Sequence, residues 1–285
     1  MTDALQFRHP STAVRVLAVR ADHHLEMPDQ VATEEPMQIR AAGPGQSPAP
    51  IAVTMRTPGH DFDLAVGFLL TEGLITGRGD VAAVKYCDLP DDMAQRFNTV
   101  TVELTRRLPE DRAARSFAVN ASCGVCGKAT VDQVMIACPA LPPAAPVPCS
   151  LIAELPDRLR AEQRLFDRTG GLHAAAIVDP ADPHGGLVAV REDVGRHNAV
   201  DKLAGHALLD GQLPLTGRLL VVSGRVSFEI VQKAAMAGLA VIVAISAPSS
   251  LAVDTAERLG VTVAGFVRGD RFNIYSHAER IDLTC

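Results

Sequence analysis

The sequence predicts a mixed α/β protein, α+β overall, with a three-layer α/β domain at its C-terminal end and a smaller strand-rich domain at its N-terminal end. After residue 150, short apolar runs alternate with amphipathic helical stretches. A hydrophobic content of 47% in 285 residues is ample for a real core. Before residue 150 the pattern is mainly that of strands, and a proline-rich stretch separates the two parts.

The N-terminal domain is predicted at residues 13–121, after a flexible tail at residues 1–12. Its expected strands are rich in β-branched residues or alternate apolar with polar ones: residues 13–18, 37–39, 51–55, 81–87 and 98–104. One helix is expected at residues 61–70, because apolar residues recur there at helical spacing and Asp61 and Asp63 lie near its amino end.

A connection at residues 122–150 leads to the C-terminal domain at residues 151–285. Five of the ten residues at 139–148 are proline, which predicts an extended linker or loop. The elements expected after it are helices at 151–166, 199–209, 228–237 and 251–259, and strands at 173–178, 187–191, 219–222, 240–245 and 261–266. Strands and helices that alternate at this spacing predict a largely parallel sheet.

Charge and hydropathy indicate which partners are disfavoured and in which cellular compartment the protein is expected. Lys and Arg total 27 against 33 Asp and Glu, and the net charge of −6 argues against nucleic acid or an anionic membrane as a partner. The longest apolar run, residues 239–245, is far shorter than the roughly 20 residues of a membrane span. We therefore expect a cytoplasmic protein with reduced thiols. The four isolated cysteines are expected to be buried or incidental thiols: Cys87, Cys138, Cys149 and Cys285.

Cys123 and Cys126 lie three residues apart in a glycine-punctuated loop, which is the most distinctive motif of the chain. A structural zinc site needs four ligands, commonly two such pairs, and the sequence has one CxxC. A thioredoxin-like dithiol would have aromatic and proline neighbours where this chain has Ser122 and Gly127. A persulfide carrier needs one accessible thiolate, which Lys128 and the amides at a helix start would favour. The motif alone leaves these three chemistries open.

Four polar stretches follow or precede predicted strands, where open α/β sheets bind ligands. They are Thr169, Gly170, Gly171, Leu172 and His173; residues 191–198, with Arg196 and His197; Ser223, Gly224 and Arg225; and residues 266–273, with Phe266, Val267, Arg268, Gly269, Asp270 and Arg271. Their ordinary alternatives are a glycine turn, a solvated charged loop, a helix cap and a polar hairpin. His277 and Glu279 match the H-x-E pattern of zinc deaminases but follow the CxxC instead of preceding it, so no metal site is predicted.

Taken together, these motifs resemble the FdhD/NarQ family of formate dehydrogenase accessory sulfurtransferases, from about residue 31 to residue 281. The landmarks occur in one order along the chain: Arg56-Thr57-Pro58-Gly59, Gly67 to Gly73, Ser122 to Lys128, Thr169 to His173, Arg191 to Lys202, Ser223-Gly224-Arg225 and Arg268 to Tyr275. The resemblance implies a C-terminal domain similar to cytidine deaminase, and it suggests a homodimer.

The same resemblance implies a function. A cysteine desulfurase would load sulfane sulfur onto Cys123, with Cys126 as an auxiliary thiol. The sulfur would then pass to a molybdenum cofactor that carries two molybdopterin guanine dinucleotides, before its insertion into the catalytic subunit of formate dehydrogenase. The family's cofactor segment falls on residues 266–271, the other polar stretches would complete the pocket, and GDP would mimic the cofactor. A non-catalytic chaperone that binds and escorts the cofactor is the alternative.

Overall fold

The structure, a computed structural model, describes residues 9–87, 97–109, 117–118, 138, 141–142, 145–182 and 186–284. The chain begins with a hairpin of β1 (Ser11–Arg20) and β2 (His23–Ala32), paired antiparallel from Ser11↔Ala32 to Arg20↔His23. The sequence predicts β1 but not β2, because β2 contains charged residues and Pro28 and lacks clear alternation.

The strand-rich part forms a five-stranded sheet in the order β5-β6-β3-β4-β7. Its strands are β3 (Glu35–Ala42), β4 (Ala49–Arg56), β5 (Val81–Tyr86), β6 (Thr99–Leu104) and β7 (Phe117–Ala118). Strands β5 and β6 are antiparallel neighbours, which confirms their predicted pairing. The predicted helix is also present as α1 (Asp61–Thr71), and it follows β4.

The C-terminal part is built around a six-stranded sheet in the order β10-β9-β11-β12-β13-β14. Its elements follow in chain order: β8 (Val147–Pro148), α2 (Cys149–Glu162), α3 (Arg164–Thr169), β9 (His173–Val178), β10 (Leu187–Asp193), α4 (Arg196–Leu209), β11 (Leu219–Val222), α5 (Phe228–Ala237), β12 (Val241–Ala244), α6 (Ser250–Leu259), β13 (Thr262–Arg268), β14 (Arg271–Ser276) and β15 (Ile281–Asp282).

The two faces of this sheet carry different helices. Leu219 and Val221 of β11 pack in one buried cluster with side chains of α2, whereas Leu220 and Val222 belong to a second cluster that includes α1, α4 and α5. The alternation follows from the two-residue period of a strand. The predicted three-layer α/β architecture is therefore confirmed. The likeness to cytidine deaminase stays a prediction.

Three expectations about the C-terminal part need correction. The sheet is mixed: only β11–β12 and β12–β13 pair in parallel, whereas β9 is antiparallel to both its neighbours and β13 to β14. The single helix predicted at 151–166 is two helices, because Gln163 leaves helical geometry with ψ 63°. Cys149 is disulfide-bonded, so it is not the buried or incidental thiol that the sequence predicts. Spacing in the sequence does not show which cysteines meet in space.

One buried core joins the two parts of the chain, since its members range from Met37 to Val263. Helices α1 and α4 cross at very close range through Gly67 and Gly205. A Cβ atom added to Gly67 would lie 1.8 Å from the backbone oxygen of Asp201, and one added to Gly205 would lie 1.8 Å from that of Asp63. Only glycine permits this approach of two backbones.

A buried ion pair lies beside this crossing. Lys233 of α5 donates to both carboxylate oxygens of Asp201 at 2.9 Å, and Thr71 donates to Asp201 at 2.7 Å. Although burial lowers the pKa of Lys233, the carboxylates of Asp201 and Glu72 outweigh burial and raise it, so the lysine is charged. In the part of the chain that the structure describes, no helix has the length and apolarity to span a membrane.

Candidate functional site

Three of the four predicted polar stretches meet at one edge of the six-stranded sheet. Because β9 is antiparallel to both neighbours, its first residue, His173, pairs with Asp193 at the end of β10. Strand β11 ends at Val222, which pairs with Ala175 of β9 and leads directly into Ser223. Helices α4 and α5 both begin at this edge, so their amino ends add partial positive charge to it.

The loop from Ser223 to Ser227 is fixed to the start of β9. The Ser223 amide donates to the Ala174 carbonyl at 3.0 Å, and the Ala174 amide donates to Ser223 Oγ at 2.9 Å. A Cβ atom on Gly224 would lie 3.2 Å from His173 Nδ1 and 3.6 Å from Arg196 Cβ. Because Gly224 has no side chain, this loop packs closely against His173 and Arg196. We call the group formed by His173, Arg196 and the loop residues Ser223, Gly224 and Arg225 the cradle.

The cradle is cationic. Burial and the neighbouring charge of Arg225 lower the pKa of Arg196, and burial together with the charge of Arg196 lowers the pKa of His173. Within the described residues, neither arginine has a carboxylate at ion-pair distance, and the buried Nε of Arg196 has no hydrogen-bond partner. Two arginines that repel each other, one with an unsatisfied buried donor, are suited to an anionic ligand.

The predicted site residue His197 occupies a different position. It is buried on the first turn of α4, with Nε2 2.9 Å from Ser227 Oγ and 3.1 Å from Glu229 Oε2. Burial and the charges of Arg196 and Lys233 lower the pKa of His197 to about 3, and burial raises the pKa of Glu229 to about 7. Because the imidazole of His197 is neutral, its contact with Glu229 is not an ion pair. Glu229 is not among the residues that the sequence predicts, because a helical glutamate ordinarily faces solvent.

Residues 191–198 are not the charged loop that was the ordinary alternative for this stretch. Arg191 lies in β10 and pairs with Asp63 at 2.9 Å, and Asn198 lies within α4 and donates to the Met55 carbonyl at 2.7 Å. Asp193 pairs with the buried amine of Lys202 at 2.7 Å. These contacts attach the start of α4 to the N-terminal part, so most of this stretch positions Arg196 and does not itself face a ligand.

The motif residues Arg56 and Thr57 also make buried contacts within the protein and do not face a ligand. Arg56 is fully buried and donates from Nη2 to Asp61 at 2.9 Å. The Thr57 amide donates to Asp193 at 3.2 Å, and the Thr57 carbonyl accepts from Lys202 at 2.9 Å. Removing either partner of such a buried pair would leave an uncompensated charge.

The fourth predicted stretch is a hairpin between β13 and β14, with Arg268 opposite Arg271. A cavity of about 250 Å³ is lined by Phe266, Arg268, Arg271, Phe272 and Asn273. Phe266 is 43% exposed and has a φ of 55°, and its amide donates to the carbonyl of Ser246 in the loop after β12. Positive φ in an aromatic residue is uncommon and is typical of functional sites. Val267, predicted to bind the cofactor, is instead fully buried in the core.

The remaining predicted residues divide into two groups. Gly170 ends α3 in the left-handed conformation with φ 65°, and Gly171 is exposed next to it. These glycines form the turn that leads to His173. The two motif cysteines, Cys123 and Cys126, lie outside the described residues. Among the residues that are described, no group of three potential metal ligands occurs.

A larger cleft of about 1010 Å³ lies elsewhere, along the outer strand β10 and next to α3. Its charged groups are engaged with the protein itself. Glu192 accepts from the amides of Leu165 and Phe166 at 2.9 and 2.8 Å, and Arg191 pairs with Asp63. The arginines at the strand ends have no ion-pair partner among the described residues and are better suited to a ligand, so we place the candidate site there.

Comparison with known proteins agrees with the motifs. Residues 32–282 match the model of the FdhD/NarQ family. The chain is 48% identical over 276 residues to a sulfur carrier protein FdhD of Streptomyces coelicolor, which covers 94% of this chain and 95% of that protein. It is 46% identical over 278 residues to the sulfur carrier protein FdhD of Mycobacterium tuberculosis, with 94% and 97% covered.

Among solved structures, the chain resembles the crystal structure of a candidate formate dehydrogenase accessory protein from Desulfotalea psychrophila. The TM-score is 0.71 at 24% identity, and 96% of this chain and all of the other (100%) are covered. At this identity the likeness supports the fold. The family model and the curated relatives, each matched over most of the chain, show that this protein belongs to the FdhD/NarQ family.

Proposed function

We propose that the protein is a sulfur carrier for formate dehydrogenase. In this proposal Cys123 accepts sulfane sulfur as a persulfide from a cysteine desulfurase. The sulfur then passes to a molybdenum cofactor with two molybdopterin guanine dinucleotides, before the cofactor enters the catalytic subunit of formate dehydrogenase. The names of the relatives support the carrier role, and the cationic cradle at the strand ends is the structural observation that supports an anionic cargo.

The loading step follows from thiol chemistry. The Cys123 thiolate attacks the terminal sulfur of the desulfurase persulfide, a new S–S bond forms on Cys123, and the old one breaks. The electron pair of the broken bond remains on the desulfurase cysteine, which leaves as a thiolate. The Cys126 thiolate can then attack the inner sulfur of a stalled persulfide, which forms a Cys123–Cys126 disulfide and releases the outer sulfur, with the electron pair of the broken bond, as hydrosulfide.

The cradle supplies what the cargo's phosphates need. Arg196 and Arg225 provide guanidinium donors, and the amino end of α5 contributes backbone amides. The hairpin adds the exposed ring of Phe266 for stacking on a guanine base and further arginines beside it. Both groups lie at the edge where strands β11, β12 and β13 end, which supports one ligand spanning them.

GDP binding measured by calorimetry tests the cargo site. We expect Arg225→Ala and Arg271→Ala each to weaken binding about 10–100-fold, because each variant loses a charge-assisted contact of about 1.5–3 kcal/mol. Both side chains are exposed, so thermal stability should change little. Arg20→Ala, an exposed arginine at the end of β1, is the matched control. Equal GDP affinity in all four proteins would remove the proposed cargo site.

A non-catalytic chaperone would use the same cradle, so the cysteine separates the two functions. If the protein is a carrier, Cys123→Ala keeps GDP affinity but fails to restore formate dehydrogenase activity in cells that lack the parent protein. If the protein only escorts the cofactor, the same variant restores full activity. The second result would replace the carrier proposal with the chaperone.

A homodimer in the cytoplasm is part of the proposal. One face of the β1–β2 hairpin presents Leu25, Met27 and Val31, which are 61%, 38% and 40% exposed. Exposed aliphatic side chains on a two-stranded sheet support burial against another copy. Light scattering should give twice the chain mass for the parent and the single-chain mass for Leu25→Glu; a monomeric parent would exclude the dimer.

A further inference from the structure

A hydrogen bond joins the starts of the two helices that begin at the cradle. Nε2 of His197, on the first turn of α4, lies 2.9 Å from Oγ of Ser227, the residue immediately before α5. The side chain of His197 is 11% exposed, so solvent competes little for this bond. The orientation of the Ser227 hydroxyl is therefore set by a neighbouring helix and not by α5 itself.

This orientation withholds an ordinary helix cap from α5. A serine immediately before a helix normally accepts a hydrogen bond from an amide two or three residues further on. Ser249 does so at the start of α6, where its Oγ accepts from the Ala252 amide at 3.2 Å. Ser227 Oγ accepts from no amide of α5. Among the residues that the structure describes, the amides of residues 228–230 have no acceptor, so they remain available to a ligand.

These amides lie beside the unsatisfied guanidinium of the cradle. The short loop that begins with Gly224 and Arg225 ends at Ser227, and a Cβ atom on Gly224 would lie 3.6 Å from Arg196 Cβ. Arg196 precedes His197 on the same helical turn, and its buried Nε has no hydrogen-bond partner within the described ranges. Backbone amides of α5 and a guanidinium of α4 are therefore held next to each other, and a phosphate group accepts hydrogen bonds from both kinds of donor.

We propose that His197 is a positioning residue of the cargo site: it holds the Ser227 hydroxyl away from α5 and so leaves the first amides of α5 free for a phosphate group. The proposal rests on the cargo site proposed above. Without the imidazole, the Ser227 side chain can rotate about its Cα–Cβ bond and cap α5. A phosphate must then displace this cap, and the contribution of a serine cap corresponds to about a fivefold change in affinity.

Calorimetry with GDP tests this role in the full-length protein. His197→Leu removes the bond to Ser227, and we expect GDP affinity to fall about fivefold. Ser227→Ala removes the hydroxyl that would cap α5, so its affinity should equal that of the parent. The double variant His197→Leu/Ser227→Ala should recover the parent affinity, although it lacks both polar groups. His197→Gln, whose amide can reach the Ser227 hydroxyl, should also bind like the parent.

The double variant separates positioning from a merely structural role. It shares with His197→Leu the loss of the contact between His197 and Glu229, so any effect of that contact on binding cancels between the two proteins. If the double variant binds GDP as weakly as His197→Leu, or if folded His197→Leu binds like the parent, the positioning role is refuted and the cargo site stands. Weaker binding by Ser227→Ala alone would show that the hydroxyl contacts the ligand, which also refutes the role.

Failure of the cargo site gives a different result. If the folded parent does not bind GDP, the proposed cargo site is refuted and the role of His197 is refuted with it. Circular dichroism verifies that each protein is folded. If His197→Leu does not fold, the pair His197→Ala and His197→Ala/Ser227→Ala provides the same comparison, with the same expected recovery of affinity in the double variant.

Discussion

Substituting Gly67 by alanine should separate helices α1 and α4 and destabilise the protein. The added Cβ would lie 1.8 Å from the Asp201 carbonyl oxygen and 2.8 Å from the Gly205 nitrogen, both backbone atoms. Carbon contacts are comfortable at about 3.5 Å or more, so the helices must move apart by roughly 1.5 Å. The neighbouring hydrogen bond from Thr71 to Asp201, now 2.7 Å, would then be stretched or lost.

The expected cost follows from these contacts. Overpacking costs about 1–3 kcal/mol, and a weakened buried hydrogen bond adds about 1 kcal/mol or more. The higher helix propensity of alanine relative to glycine stabilises the folded state by about 1 kcal/mol and offsets part of this loss. The net loss is about 1–3 kcal/mol, which lowers the melting temperature by about 2–12 °C in a protein of this size.

Thermal and urea unfolding measure the effect. Gly77→Ala is the matched control, because Gly77 has an extended backbone and no atom lies within 4 Å of the position that an added Cβ would take. The control should melt with the parent. If Gly67→Ala also melts within a degree of the parent, the close crossing of α1 and α4 is not a feature of the molecule.

Two further changes test the buried charges. Lys233→Met leaves the Asp201 carboxylate buried without its cation, so we expect the free energy of unfolding in urea to fall by about 3 kcal/mol. A smaller fall than that caused by substituting an exposed lysine would contradict the buried ion pair. Burial raises the pKa of Glu229 to about 7, so the folded state holds a proton on this residue over a pH range in which the unfolded state does not. The protonated residue therefore favours the folded state. Its contribution to the free energy of unfolding is fully present below about pH 4.5 and is lost as the pH rises through 7. Glu229→Gln should therefore gain about 2 kcal/mol relative to the parent between pH 5 and pH 8, and parallel stability curves would refute the shift.

The sequence predicts the alternation of strands and helices after residue 150 because apolar runs such as 219–222 are bounded by clear turn residues. It also predicts that Ser223 and Gly224 follow a buried strand and precede a helix, as they do in the structure. These are local properties, and a single segment carries enough information to reveal them. The sequence does not predict the antiparallel placement of β9, which depends on pairing between distant segments.

The difference between local pattern and long-range packing also explains which residues of the candidate site the sequence reveals. The sequence identifies Arg196 and Arg225 because polar residues cluster at strand ends, and the structure places them beside one cradle. It does not identify Glu229, and it does not reveal that the side chain of Val267 is buried, because the exposure of a side chain depends on which neighbours pack over it. Periodicity within one helix or strand does not fix that packing.

The central claim is that Cys123 carries sulfane sulfur, and direct detection of its persulfide tests that claim. The protein is incubated with a cysteine desulfurase and sulfur-labelled cysteine, trapped by alkylation, digested and analysed by mass spectrometry. We predict that the peptide containing Cys123 carries one extra labelled sulfur atom in the parent and in Cys126→Ala, and that Cys123→Ala carries none. A parent without label on Cys123, or equal labelling of Cys123→Ala, would contradict the sulfur-carrier function.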